Sequence, residues 1–120
     1  VSRSYTFAEN DLLAVVADGA VGRLARFDVV TLEENLRAEE SLFLQSVIEL
    51  TNDPERIFAV VEEGGQHFLG RFGTDLAFID RSIIAVNPYT TIAFGGNRVF
   101  VQTEDNRIVG LSLDDLRVAP

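Results

Sequence analysis

The sequence predicts a mainly β fold made of antiparallel hairpins. Three observations carry this: one hairpin pattern that occurs twice, a looser third copy of it, and short apolar runs punctuated by turn residues. Leu12 to Phe27 reads LLAVVADGAVGRLARF, and Ile57 to Phe72 reads IFAVVEEGGQHFLGRF. The two align without a gap. Ala14, Val15, Val16, Gly19, Leu24, Arg26 and Phe27 match Ala59, Val60, Val61, Gly64, Leu69, Arg71 and Phe72. In the first copy Asp18-Gly19 sits at the expected turn, where Gly supplies a positive φ at little cost. The third copy runs from Arg98 to Leu113, with Asp105-Asn106 at its turn. Repetition of a single hairpin unit points to a layered all-β domain.

The remaining elements follow in order. Tyr5 to Phe7 starts a strand. Leu76 to Ile79, Ile83 to Val86 and Thr91 to Phe94 are short apolar runs of strand length, separated by the Asn87-Pro88-Tyr89 turn and closed by Gly95-Gly96-Asn97. Val99, Val101 and Thr103 alternate with Phe100 and Gln102, the period of a sheet. The segment from Thr31 to Leu50 is ambiguous. Thr31 and Glu34 match a capping box, and Leu32, Leu36, Phe43, Val47 and Leu50 keep helical spacing. Leu42, Leu44, Ile48 and Leu50 also alternate. The preferred reading is a short helix or turn near 31–40, then a strand near 41–50. The alternative is one helix over 31–50, which makes the class α+β. No composition shift divides the chain, so residues 1–120 are expected to form a single β domain.

Composition narrows the chemistry. The chain has 120 residues, 47% apolar and 24% charged, enough to bury a core. Its formal net charge is −9. A field of that sign repels phosphate backbones and anionic lipid, so neither nucleic acid nor a membrane surface is an expected partner. All ten basic residues are Arg, which removes Schiff-base lysine chemistry and the phosphate-loop lysine. No Cys is present, so disulfides, thiolate catalysis and Cys-based metal sites drop out. Val1 to Thr6 lacks the basic and then apolar blocks of a signal peptide. With the missing Cys, this gives a cytoplasmic expectation.

The candidate site residues are few. His67 is the single His. It stands where the first hairpin has Gly22, and is expected to be an exposed strand residue. Most adjacent carboxylate pairs, such as Glu33-Glu34, Glu62-Glu63 and Asp114-Asp115, point to opposite faces of a strand and cannot share a proton or a metal. Asn52-Asp53-Pro54-Glu55 and Thr103-Glu104-Asp105-Asn106 are oxygen-rich turns without EF-hand spacing, and read as solvated turns before calcium sites. Gly64-Gly65, Gly70-Arg71-Phe72-Gly73 and Gly95-Gly96 lack the Lys and the strand-to-helix context of a phosphate loop. Arg26 and Arg71 hold equivalent places, each followed by Phe. They are the candidate interaction residues, suited to clamp an anion or an acidic strip of a neighbouring subunit. Strand arginines paired with surplus carboxylate are the plainer reading. No catalytic, cofactor or metal residues are assigned.

Glu40-Ser41-Leu42-Phe43, Gly64-Gly65 leading into Phe68-Leu69-Gly70, Asp80 to Val86 and Ile92-Ala93-Phe94 follow one another in a familiar order, after Asn10-Asp11-Leu12-Leu13-Ala14-Val15. This order resembles the bacterial relatives of the altered-inheritance-of-mitochondria family, which is related in fold to the tryptophan RNA-binding attenuation proteins. The resemblance covers most of residues 5–101. It implies a double-stranded β-helix, a jelly-roll-like sandwich, usually assembled into oligomers and with no established enzymatic activity. The RNA-binding relatives use basic and aromatic strand edges, and a Lys-free chain of charge −9 argues against carrying that over.

Three functions compete. The first is a non-catalytic oligomeric interaction or scaffold domain, because exposed β-edges must be paired, covered or charged. The second is a small-ligand-binding or enzymatic cupin-like β-barrel, which generally needs several His. The third is an accessory domain for a basic protein partner, favoured by the acidic charge. The first, a homo-oligomer with no cofactor and with a protein partner as a further possibility, is the reading the sequence favours.

Overall fold

In a computed structural model, which describes residues 5–8, 10–52 and 54–119, the chain is a series of three antiparallel sheets with no helix among the described residues. The first sheet holds β1 (Tyr5–Ala8), β2 (Asp11–Asp18), β3 (Val21–Asp28) and β4 (Glu34–Arg37). The second holds β5 (Ile48–Thr51), β6 (Arg56–Glu63), β7 (Gln66–Phe72) and β8 (Phe78–Arg81). The third holds β9 (Ala93–Gly95), β10 (Arg98–Gln102) and β11 (Ile108–Ser112), with one further bridge from Leu111 to Val118. Within each sheet every strand pairs with its neighbour in the chain. The mainly β expectation and its antiparallel hairpins therefore hold. The connectivity is finer-grained than a jelly roll, which pairs strands distant in sequence. Here each sheet is an up-and-down meander, the connectivity of a propeller blade.

The repeated hairpin is the same object twice. Leu12 faces Phe27 and Asp18 faces Val21; at equivalent places Ile57 faces Phe72 and Glu63 faces Gln66. Both tight turns use a left-handed Gly, Gly19 at φ 67° and Gly64 at φ 60°. The outer strands repeat too, with a register shift after Arg26 against β4 and after Arg71 against β8. The third copy is present but shorter. Eight residues separate the paired Val60 and Leu69, while five separate Gln102 and Ile108. Val99, not Arg98, therefore takes the place of Ile57.

Side chains alternate across a strand, so a sheet covered on both sides needs apolar residues at consecutive positions. Ile57 to Val61 is such a run. Ile57, Ala59 and Val61 pack with Leu13, Val15 and Leu24 of the first sheet. Phe58 and Val60 pack with Val99, Val101 and Leu111 of the third. The second sheet is thus the middle layer of three.

The chain passes between layers by two links of matching design. Leu42 bridges Gly22 of one sheet and Val61 of the next, and Val86 bridges to Thr103. Gly22 is needed at the first crossing: a Cβ there would lie 3.2 Å from the Leu44 Cα and 2.4 Å from a Val15 methyl. Each link then carries a buried hydroxyl. Ser46 Oγ accepts the Val60 N–H at 2.7 Å and donates to the Val47 carbonyl; Thr90 Oγ1 accepts the Gln102 N–H at 2.7 Å and donates to the Thr91 carbonyl. Ser46→Ala strands the buried Val60 amide, and we expect it to cost about 1–3 kcal/mol in urea denaturation. Thr90→Ser keeps the hydroxyl and is expected to cost much less.

The short helix near 31–40 and the alternative helix over 31–50 are both replaced by extended chain. The Thr31 hydroxyl caps a turn: it accepts the Glu33 N–H at 3.2 Å, while Asp28 accepts the N–H groups of Val30 and Thr31. Leu32 sits in the left-handed region at φ 59°, which ends any helix at its first turn. Residues 34–37 instead complete the free edge of β3. The strand expected near 41–50 forms only at Ile48–Thr51, because Leu42 is spent on the crossing and residues 44–45 turn.

Candidate functional site

Equivalent positions in three stacked sheets have equivalent surroundings, except at the ends. On the second sheet, the face toward the first sheet is built from Ile48, Ile57, Ala59, Phe72 and Leu76, all buried. On the first sheet the same positions are Tyr5, Leu12, Ala14, Phe27 and Leu32. Among the described residues no further sheet covers this face, although Ala14 is buried and Leu12 and Phe27 are half-buried on it. Leu32 is 64% exposed, while its counterparts Leu76 and Leu116 are 3% and 0% exposed. Tyr5 is 64% exposed, against 3% for Ile48 and 8% for Ile92. These five residues line a shallow apolar cleft of about 260 Å³, and Phe7 extends it on the same face of β1. A contiguous exposed apolar face marks an interaction surface more often than scattered exposed residues do.

The Leu side chain at 32 is presented by the Asp28 turn. The Thr31 and Val30 amides that donate to Asp28 hold its carboxyl below the usual carboxylate range. Asp18 is lowered by its hydrogen bond from Arg23, Glu34 by Arg37, and Asp105 by the Thr103 hydroxyl. A lowered folded pKa contributes stability that is complete above the unfolded value, near 4, and is lost as pH falls through the folded value. We therefore expect the thermal midpoint to drop on acidification from about pH 5 to about pH 3. Asp28→Asn, which keeps an acceptor for both amides, is expected to flatten part of that drop in a calorimetric pH series.

Arg26 and Arg71 are both largely buried and both turn toward the next sheet. Arg26 Nε lies 3.1 Å from Asp11 Oδ2, and its Nη1 donates to the Thr74 carbonyl of the second sheet. Arg71 holds both oxygens of Asp80, at 2.9 and 2.6 Å, and donates to the Leu113 carbonyl of the third sheet. Each guanidinium thus fixes the chain segment that follows the third strand of the next layer. A neighbouring cleft of about 360 Å³ between the second and third sheets includes Arg56, Arg71 and Asn97 in its lining. There Arg71 is already matched by Asp80.

His67 is not the exposed strand residue expected. Its ring packs edge-on against Phe43 at 5.2 Å, and its Nε2 lies 2.9 Å from Glu62 Oε1. The cause is local: the crossing link brings Phe43 over β7. The Thr103–Asn106 turn uses its own oxygens. Thr103 Oγ1 bonds Asp105 and accepts the Arg107 N–H, and Asn106 Oδ1 accepts from Asn87. The other oxygen-rich turn includes Asp53, and the signal-peptide reading rests mostly on Val1 to Ser4; these lie outside the described residues. Among the described residues no three His, Asp or Glu side chains gather as a metal site. No helix among them is long and apolar enough to cross a membrane.

Sequence reasoning named Arg26 and Arg71 but missed the open face. Its residues are apolar like their buried counterparts, so they read as core. The signal was the repeat itself, because it shows which first-sheet positions correspond to buried positions of the second sheet. No protein-family model matches the chain, and neither a curated protein nor a solved structure is found to be similar to it.

Proposed function

We propose that the chain is a non-catalytic interaction module that works by assembling through the open face of its first sheet. One observation carries this reading. Positions that are buried in the second and third sheets hold exposed Tyr5 and Leu32 in the first, with Phe7 alongside. Covering such a face removes apolar area from water at roughly 25 cal/mol per Å², the main drive of association. The cupin-like alternative needs several imidazoles around one point, and the single His67 is engaged with Glu62 and Phe43. Arg26 and Arg71 serve the assembly indirectly, by holding the layers in register.

The test is Phe7→Glu. Phe7 is exposed in the single chain, so the substitution should change its folding stability by no more than about 0.5 kcal/mol. Placed in a covered face, a carboxylate is costly. We expect the variant to be monomeric in light scattering at concentrations where the wild type is oligomeric. Identical masses for the two proteins would sink the proposal.

A further inference from the structure

We infer that the open face of the first sheet is covered by the outer face of the third sheet of a second copy of this chain, two copies closing head-to-tail into a ring of six sheets. This rests on the assembly reading above and names its partner. The chain already forms this contact twice. Leu13, Val15 and Leu24 of the first sheet cover the second, and Phe58, Val60 and Leu69 of the second cover the third. The register puts Phe100, Gln102 and Ile108 at the same three places on the third sheet. Phe100 and Ile108 point away from the core, and Ile108 is 72% exposed where Leu24 and Leu69 are 0% exposed. One molecule therefore carries the two unlike halves of one repeated interface, one at each end of the stack.

Unlike halves make a heterologous contact, which closes into a ring or runs on as a filament. Blades of this connectivity close in rings of about four to eight. Two copies of the three described sheets supply six, and three copies would supply nine. The contact also differs from the two internal ones. Gly110 stands where Arg26 and Arg71 stand, and the Phe100 ring lies across it, its Cε1 3.0 Å from where a Cβ would be. The arginine that ties each layer to the next is missing at this end. The contact between copies is accordingly the weaker one, and the ring should dissociate on dilution.

The test uses wild type, Phe7→Glu and Ile108→Glu, each confirmed folded by circular dichroism, with Phe7→Ser and Ile108→Ser in reserve for a variant that unfolds. In light scattering we expect the wild type at twice 13.2 kDa and each variant at the single-chain mass. Mixed in equal amounts, the two variants keep one intact pair of faces and should form a dimer. That mixture is measured at about tenfold higher concentration, because it lacks the second contact that closes the ring. A mixture that stays monomeric overturns the inference. So does an Ile108→Glu variant that assembles like the wild type while Phe7→Glu does not, since the open face then meets its own copy. Mass that grows without limit with concentration overturns the closed ring. A wild type that is monomeric throughout overturns the assembly reading itself.

Discussion

Phe72→Ala is expected to be the most damaging single substitution in the chain, at about 3–5 kcal/mol. Phe72 is fully buried between the first and second sheets, faces Ile57 across the hairpin, and meets the Phe78 ring edge-on at 5.5 Å. Its own strand makes room for it: a Cβ at Gly70 would lie 3.3 Å from the Phe72 ring. Truncation leaves a cavity that rigid strands on both sides cannot close. Domains of this size are stable by about 5–15 kcal/mol, so the variant should lose a large part of its margin in urea denaturation. Phe27→Ala is the matched control. Phe27 has the same partner across the hairpin, Leu12, but lies on the open face. In the single chain its truncation should cost well under half as much. Equal losses at the two positions would contradict the description of the first sheet as uncovered.

Arg71→Met should be the next largest, at about 2 kcal/mol. The substitution leaves the Leu113 carbonyl and the Asp80 carboxylate without their donor. Full burial of that pair would make the loss greater, but the Asp80 side chain is 35% exposed and water restores part of it. Arg71→Lys returns the charge without the planar fork and should recover only part of the loss. Arg26→Met should cost less, because Arg26 meets Asp11 through one nitrogen only. The discriminating measurement is a double-mutant cycle with Asp80→Asn. Complete coupling between the two would mean that the tie to the Leu113 carbonyl adds nothing. A residual loss assigned to Arg71 alone is the expected result.

The repeat was legible because the two full hairpins align without a gap and share their turn Gly and their Arg-Phe ending. That alignment also predicted, correctly, that Arg26 and Arg71 are equivalent. What they bind was not legible, since their partners in the next sheet are main-chain carbonyls, which leave no mark in a sequence. The third copy was legible but misplaced, one residue early at its start and two residues late at its end, because its hairpin is shorter and Gly110 replaces the guide arginine. The segment from Thr31 to Leu50 misled for a physical reason. A capping residue serves a turn as well as a helix, and a left-handed Leu32 has no sequence signature. The links could have been recognised by comparing them with each other, since Phe43-x-x-Ser46-Val47-Ile48 and Asn87-x-x-Thr90-Thr91-Ile92 end on the same hydroxyl latch and the same Ile.

We propose that the first sheet's open face is a place of assembly. The most direct measurement is the mass of the wild-type chain by light scattering through a dilution series. A discrete multiple of 13.2 kDa at micromolar concentration, falling to the single-chain mass only on dilution, is the predicted result. A mass of one chain at every concentration would contradict it.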